Sequence, residues 1–529
     1  MGRTIALLCA LIGVVAIAIA PAYGEVQNIK ISGDIKAMAV YRNNYDLEDS
    51  LNFQVPESNV NDQYREDDQD SFFMSVVRLG VDADLTDNVQ ASVRVANLRE
   101  WDVDQNIDTN LANASGIAAS EINEDDSSII LDLAYITLRE MLYSPLTVVI
   151  GRQELNFGTG LIVGSGRYQD PNNSIAYNDL SPLHGYDAVR AILDYDPWAF
   201  NIVVAKIQEA DDTQNLPYNG GNVRVNALGV IVANAGTTGA DRDSDTDLYG
   251  VNVGYKFGQY NGEAEGYIWH KDDENYNLVT IDGAPNQFVW DDNAVTTLGL
   301  RGSLLPMEGF TIGAEVAGQV GEIRTNTADR SFDGAMDRRA MMANAFGSYD
   351  LKWRLSPKLG AEYLYTSGHD TGDADEFGAW DSMFRGKVLG QIRDRLESLY
   401  VTNDPSDTSG LTNQHTIKAT CGLNLGELVD GLSMDMAYLH YWFDQDVALD
   451  SSEDEIGDEL DMNVVYDYTE DVQFCLSTAL FLPGEYYDDL KLIQPVYQGG
   501  LMNVGGDVAR QRKSNDSAVS VIGSCKVTF

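Results

Sequence analysis

The chain has 529 residues, a formal net charge of −47, 44% hydrophobic and 22% charged residues. So acidic a chain repels phosphate backbones, which excludes a nucleic-acid function, while the hydrophobic content and the 27 tyrosines exclude a disordered one. Enzyme chemistry has no foothold: there is no HExxH, no GxSxG elbow and no phosphate-cradling glycine loop, and His184, His270, His369, His415 and His440 lack ligand spacing.

At the N-terminus, Arg3 precedes an apolar run from Ile5 to Ala20, and Ala22-Tyr23-Gly24 follows with small residues at cleavage positions. The run is shorter than the ~20 apolar residues a spanning helix needs. Residues 1–24 are therefore expected to be a signal peptide, with 25–529 as one domain. Cleavage removes Arg3 and Cys9. Cys421, Cys475 and Cys525 then remain, read as strand residues with a disulfide left open.

From residue 25 onward one arrangement repeats: about ten alternating residues, then a polar connection rich in Asp, Asn and Gly. Tyr249, Val251, Val253, Tyr255 and Phe257 alternate with Gly250, Asn252, Gly254 and Lys256. Ile312, Ala314, Val316, Gly318 and Val320 alternate with Gly313, Glu315, Ala317 and Gln319. Leu359, Ala361, Tyr363 and Tyr365 alternate with Gly360, Glu362, Leu364 and Thr366. A period of two gives each strand one apolar and one polar face. A soluble sandwich has the same period, but here charges occupy the face a sandwich must pack dry; a wet lumen tolerates them. Aromatic residues gather at strand ends (Trp101, Tyr195, Trp198, Tyr438, Tyr441, Trp442), as interfacial girdles do.

Connections alternate between short (85–89, 356–358) and long (43–69, 102–126, 208–247, 366–414, 444–461). The pattern predicts an all-β fold: a transmembrane antiparallel β-barrel of about 18 strands, with 16 as the neighbouring solution, and long acidic extracellular loops. Val388, Ile392, Leu396 and Leu399 have helical spacing inside the longest connection. A surface helix is the first expectation there, and a segment folded towards the pore the second. The last strand sets Val519, Val521, Gly523, Cys525, Val527 and the terminal Phe529 on one face. Such an end resembles bacterial outer-membrane proteins generally, and implies contact with the barrel insertion machinery in the outer membrane.

Two stretches are more specific. Ile150-Gly151-Arg152-Gln153-Glu154-Leu155-Asn156-Phe157-Gly158 resembles the GRQELxYG stretch of the alginate-export family, followed by Leu161 to Gly164 and by Tyr186-Asp187-Ala188-Val189-Arg190. Glu362-Tyr363, Ser367 to Asp370 and Phe377 to Phe384 are similar to that family's EYxYxSGD…FxxWDPLF stretch, with Ser382 in place of the usual proline. The resemblance implies an 18-stranded barrel conducting solutes through the outer membrane. It leaves the cargo open: the acidic balance predicts repulsion of a polyuronate and preference for cations or neutral sugars.

Turning the apolar faces outward gives ten candidate pore-lining residues: Arg78, Arg94, Arg152, Glu154, Arg190, Arg301, Glu315, Glu362, Lys418 and Asp435. They are read either as charges that set ion selectivity or as ion pairs that hold the wall in shape. Asp241, Asp243, Asp245 and Asp247 place carboxylates on alternate positions of a loop, a candidate Ca²⁺ site that departs from the EF-hand pattern at Thr246 and Asn252. Other acid-rich loops are 66–68, 370–376 and 453–461. No cofactor is required, though Ca²⁺ or Mg²⁺ at acidic loops is expected to bridge to lipopolysaccharide. The expected partners are outer-membrane lipid, lipopolysaccharide and a small hydrophilic solute or saccharide crossing by passive diffusion. The alternative is a structural or surface-interaction barrel with a plugged lumen and cation-binding loops.

Overall fold

The computed structural model describes residues 28–44, 69–101, 129–142, 145–165, 180, 185–209, 224–225, 231–232, 245–281, 284–324, 335–370, 373, 376–394, 411–445, 453–490 and 516–529. The expected signal peptide and the acids at 66–68 lie outside them. Eighteen strands form one closed antiparallel sheet: β1 Asn28–Asn43, β2 Gln69–Thr86, β3 Val89–Glu100, β4 Ile129–Met141, β5 Leu146–Glu154, β6 Gly185–Tyr195, β7 Trp198–Glu209, β8 Asp245–Phe257, β9 Gly262–Ile281, β10 Ala284–Met307, β11 Phe310–Arg324, β12 Ala335–Asp350, β13 Lys358–Thr366, β14 Gln414–Asn424, β15 Leu432–Phe443, β16 Glu455–Asp467, β17 Val472–Pro483 and β18 Ala518–Thr528. The 16-strand alternative is thereby excluded.

Each strand pairs with its neighbours in sequence, and β18 returns to β1, Asp34–Asn43 lying against Thr528–Val519. Gly33 and Phe529 exchange both backbone hydrogen bonds, at 2.8 and 3.0 Å. Closure leaves no sheet edge, the condition for a sheet to stand in lipid. The alternation turns outward as expected: Ile31, Leu300, Val316 and Val320 are exposed on the barrel exterior. Phe73 stacks on Trp101 near the long-loop end, and Trp198 meets Tyr255 near the short-turn end, so aromatic residues flank the apolar band at both levels. Tyr441 corrects the girdle set. It is fully buried on the inner face, because Leu439, Tyr441 and Phe443 point inward while Tyr438 points out.

Two further corrections concern element bounds. The connection expected to reach Asp461 ends earlier, since β16 already begins at Glu455; Glu459 and Asp461 are wall residues. Asp245 and Asp247 likewise belong to β8 rather than to a loop. The three cysteines lie in β14, β17 and β18 and are free thiols.

Among the described residues, those that leave the wall and fold inward include 155–165 after β5 and 376–394 after β13. Leu155, Val163, Trp380 and Ile392 on them are almost wholly buried. In the stretch where a surface helix is the first expectation, residues 388–392 are not helical and helical geometry begins at Arg393; Leu389, Ile392, Arg393 and Asp394 are buried in the lumen. The remainder, 395–399, lies outside the described residues. Leu389 and Ile392 join the buried apolar cluster inside the barrel, which needs buried residues as a helix core does.

Candidate functional site

The first segment is aimed by its own sequence. Gln153 is buried, and its side-chain amide donates to the carbonyls of Gly151 and Ala188, fixing the end of β5 against β6. The chain then turns in, and Phe157 packs on Trp269 with ring centroids 4.8 Å apart while the Arg190 guanidinium lies over the Phe157 ring at 4.9 Å. Polar anchors follow. The Gly158 N–H donates to Glu265 (3.2 Å), and the Thr159 hydroxyl and Tyr267 hydroxyl both donate to Glu315, at 2.5 and 2.7 Å.

The second segment docks beside the first. Val163 and Phe384 form a parallel bridge, and Tyr186 donates to the carbonyls of Gly164 and Phe384 at once. Backbones touch where they cross: a Cβ on Gly386 would lie 2.1 Å from the Ser165 carbonyl oxygen, so only glycine fits. Asp381 is the main electrostatic anchor, with its Oδ2 2.5 Å from Lys271 Nζ and 2.9 Å from Asn293 Nδ2. Its Oδ1 accepts the Met383 N–H at 2.7 Å, closing an Asx turn. Burial alone would raise this carboxyl, but the Lys271 ammonium and the Arg338 guanidinium outweigh it and hold Asp381 at about 2. Gln319 seals the turn from both sides, donating to the Asp381 carbonyl and accepting its N–H.

Further along, Lys387 pairs with Glu362 and Lys418 Nζ donates to the Leu389 carbonyl at 2.6 Å. Glu459 is fully buried in β16. Its carboxylate accepts the backbone N–H groups of Gln391, Ile392 and Arg393 at 2.5, 2.7 and 3.0 Å, and the Tyr441 hydroxyl at 3.2 Å. These contacts run along the inner faces from β6 to β17. Between the second segment and the wall lies a cavity of about 510 Å³ whose lining includes Lys358, Lys418, Asp435, Asp461, Gln391 and Asn463.

The ten sequence candidates divide among these positions. Arg301 binds Glu263 and Glu265 at 2.8 and 2.7 Å, with Glu315 close by. Arg190 donates twice to Asn201, Glu362 and Lys418 hold the second segment, and Asp435 lines the cavity. Arg78 and Arg94 converge on Asp132 at 3.9 and 2.7 Å; Arg78 also approaches Asp34, and Arg94 reaches Glu154 at 2.9 Å. Arg152 is the correction. In register it stands opposite Ala134 and Asp187, whereas the buried Tyr186 and Ala188 mark the lumen side. It therefore faces outward, starting a row of alternating charge across four strands: Arg152 with Asp187 (3.2 Å), then Lys206 with Asp247 (3.2 Å). The apolar run Val148-Val149-Ile150, which covers both faces, hid the phase of this strand.

Of the four aspartates expected to hold Ca²⁺, Asp245 and Asp247 stand in β8. Asp241 and Asp243 lie outside the described residues, and Asp247 is engaged by Lys206 and the Tyr249 hydroxyl. Residues the sequence reading missed carry most of the anchoring: Asp132, Lys271, Arg338, Asp381 and Glu459. A signal existed for one of them, a lone acid in the apolar run Ile129-Ile130-Leu131-Asp132-Leu133.

Residues 51–491 match the family described as alginate export. The fold is similar to that of Pseudomonas aeruginosa OccK2 (OpdF) in complex with glucuronate, at 13% identity over 96% of this chain and 100% of that one, with a TM-score of 0.48. It is similar also to Acinetobacter baumannii OccAB1 (11% identity, 96% and 100% covered, TM-score 0.48) and to a BenF-like porin from Pseudomonas fluorescens Pf-5 (11%, 95% and 99%, 0.47). No curated protein matches the sequence. With a closed 18-stranded barrel, inward segments tied to its wall, and a family match spanning most of its length, the chain belongs to the alginate export family of outer-membrane β-barrel channels.

Proposed function

We propose that the channel passes small hydrophilic solutes by passive diffusion, neutral saccharides foremost. The observation that carries this reading is the make-up of the inner wall. Cations and acids there are interleaved: Arg78 and Arg94 with Asp132, Arg301 with Glu263 and Glu265. The cavity beside the second segment offers ammonium groups, carboxylates and amides together, and one oxygen of the buried Asp461 has no hydrogen-bond partner. Donors and acceptors of both kinds suit hydroxyl groups, which both give and accept. A polyanion gains less from this wall, because Arg78, Arg94 and Arg301 already face acids.

The passage itself is read through the lumen beside the anchored segments. No catalytic group or cofactor enters this reading. Liposomes reconstituted with folded protein are expected to swell in isotonic neutral mono- and disaccharides, more slowly as solute size grows, and more slowly again in uronate oligomers of equal size. Swelling no faster than in protein-free liposomes would contradict the proposal. The inward segments favour a second reading, a lumen sealed by 155–165 and 376–394, and that absence of swelling is its signature.

A further inference from the structure

On the outer surface, at the long-loop end of β15 and β16, three potential metal ligands meet. We propose that His440, Glu455 and Asp458 form a binding site for one divalent transition-metal ion, with Zn²⁺ the best match to the donor set. His440 and Asp458 stand directly opposite each other in the ladder, and His440 Nδ1 lies 2.9 Å from Asp458 Oδ1. Each of the three residues offers one ligand atom, all within 4.8 Å of one another.

Glu455 joins the set through a device in the backbone. The register slips between Tyr441 and Trp442, so that Gly457 faces Tyr441 and Glu455 faces Trp442, with Ile456 left over. Strict alternation from Asp458 would point Ile456 outward and Glu455 inward. The bulge reverses both: Ile456 is fully buried towards the lumen, and Glu455 comes round to the outer face beside Asp458. Gly457 makes the bulge possible, with φ of 137° and a backbone so close to β17 that a Cβ would sit 2.3 Å from the Leu482 carbonyl oxygen.

The surroundings fix the first two ligands as well. The Tyr438 hydroxyl donates to Asp458 Oδ1 at 2.7 Å, orienting the carboxylate as supporting partners in metal sites do. The His440 ring packs against Trp442, 5.3 Å between centroids. Bonds of about 2.0–2.2 Å hold neighbouring ligand atoms about 3 Å apart, the spacing His440 and Asp458 already have. Glu455 closes the remaining gap by rotation about its own side chain. One imidazole nitrogen with two carboxylate oxygens suits borderline ions; Ca²⁺ and Mg²⁺ favour oxygen alone. His440 and Asp458 are each about a third exposed, at 35% and 34%, which leaves the outward coordination positions open.

The test is Zn²⁺ titration of the full-length folded barrel in detergent after treatment with EDTA, read by competition with a chromophoric chelator. Stoichiometric binding is expected in the unmodified chain, weakened tenfold or more by His440→Ala and by Glu455→Gln. His270→Ala, on the outer face of β9, should leave the affinity unchanged. Heat-shifted gel mobility confirms that each variant has kept its barrel. Absence of stoichiometric binding, or equal affinity in His440→Ala, would reduce the cluster to a Tyr438–Asp458–His440 hydrogen-bond network and overturn the proposal. Displacement of Zn²⁺ by equimolar Mg²⁺ or Ca²⁺ would overturn the donor-set argument in the same way.

Discussion

Replacing Glu459 by alanine is expected to free residues 388–394 from the wall while the barrel itself stays closed. Three backbone N–H groups and one tyrosine hydroxyl converge on this single buried carboxylate. Removing it leaves buried donors unmet, each at a cost of about 1–3 kcal/mol. A local loss of roughly 3 kcal/mol corresponds to about a hundredfold, so amide exchange at Gln391, Ile392 and Arg393 should accelerate by at least that factor. Exchange in β16 should change little, because its ladder to β15 and β17 does not depend on the side chain. The released segment should also enlarge and roughen the conductance steps. Unchanged exchange at the three amides would show that the segment is held elsewhere.

The second large effect is expected at the pair of Lys271 and Asp381. Asp381→Asn leaves the Lys271 ammonium and the Arg338 guanidinium buried together without their shared anion. Breaking such a pair from one side costs about 3–5 kcal/mol. The double variant Lys271→Met with Asp381→Asn should recover part of that loss, since the stranded charge is then gone. The pair also sets an acid limit. The Asp381 carboxyl is depressed to about 2 in the folded state, so its stabilisation is fully present above the ordinary aspartate value of about 3.9 and is lost as pH falls through about 2. Trp380, buried beside it, reports the change. Its fluorescence should stay constant from neutral pH down to about 4 and shift only as pH approaches 2. Asp381→Asn should abolish that acid step, and a wild-type step near neutrality would contradict the assignment.

Much of the fold was legible because a barrel writes its two environments into alternate residues. Ile312, Val316 and Val320 face lipid, and Glu315 and Gln319 turn inward, as their spacing alone requires. The strand number followed from the lengths of strands and connections. The phase failed where both faces are apolar or aromatic. Val148 to Ile150 gives no alternation, so the spacing around Arg152 points it to the lumen although it faces outward, and Leu439-His440-Tyr441-Trp442 carries rings in both directions. Bulges escape as well, since the extra residue at Ile456 has no mark in composition and still re-aims Glu455.

The inner anchors were hidden for a different reason. Glu459 and Asp461 sit in an acid-rich stretch that reads as a solvated loop, and only the closed wall shows that they point into the lumen. Lys271 and Asp381 are 110 positions apart in sequence, and no local pattern can join them. The family-like stretch Gly151 to Gly158 was visible, but as a motif without a mechanism. The structure supplies one: Gln153 fixes the strand end, and Leu155 and Phe157 carry the chain into the lumen.

The central claim is that a water-filled passage runs beside the anchored segments. Folded, purified protein in planar bilayers tests it most directly. Discrete, ohmic conductance steps at every voltage tried, with a reversal potential in a salt gradient showing no strong anion preference, are the predicted result. A correctly folded barrel that inserts and yields no steps would contradict the account, and would mean that residues 155–165 and 376–394 seal the lumen instead of lining it.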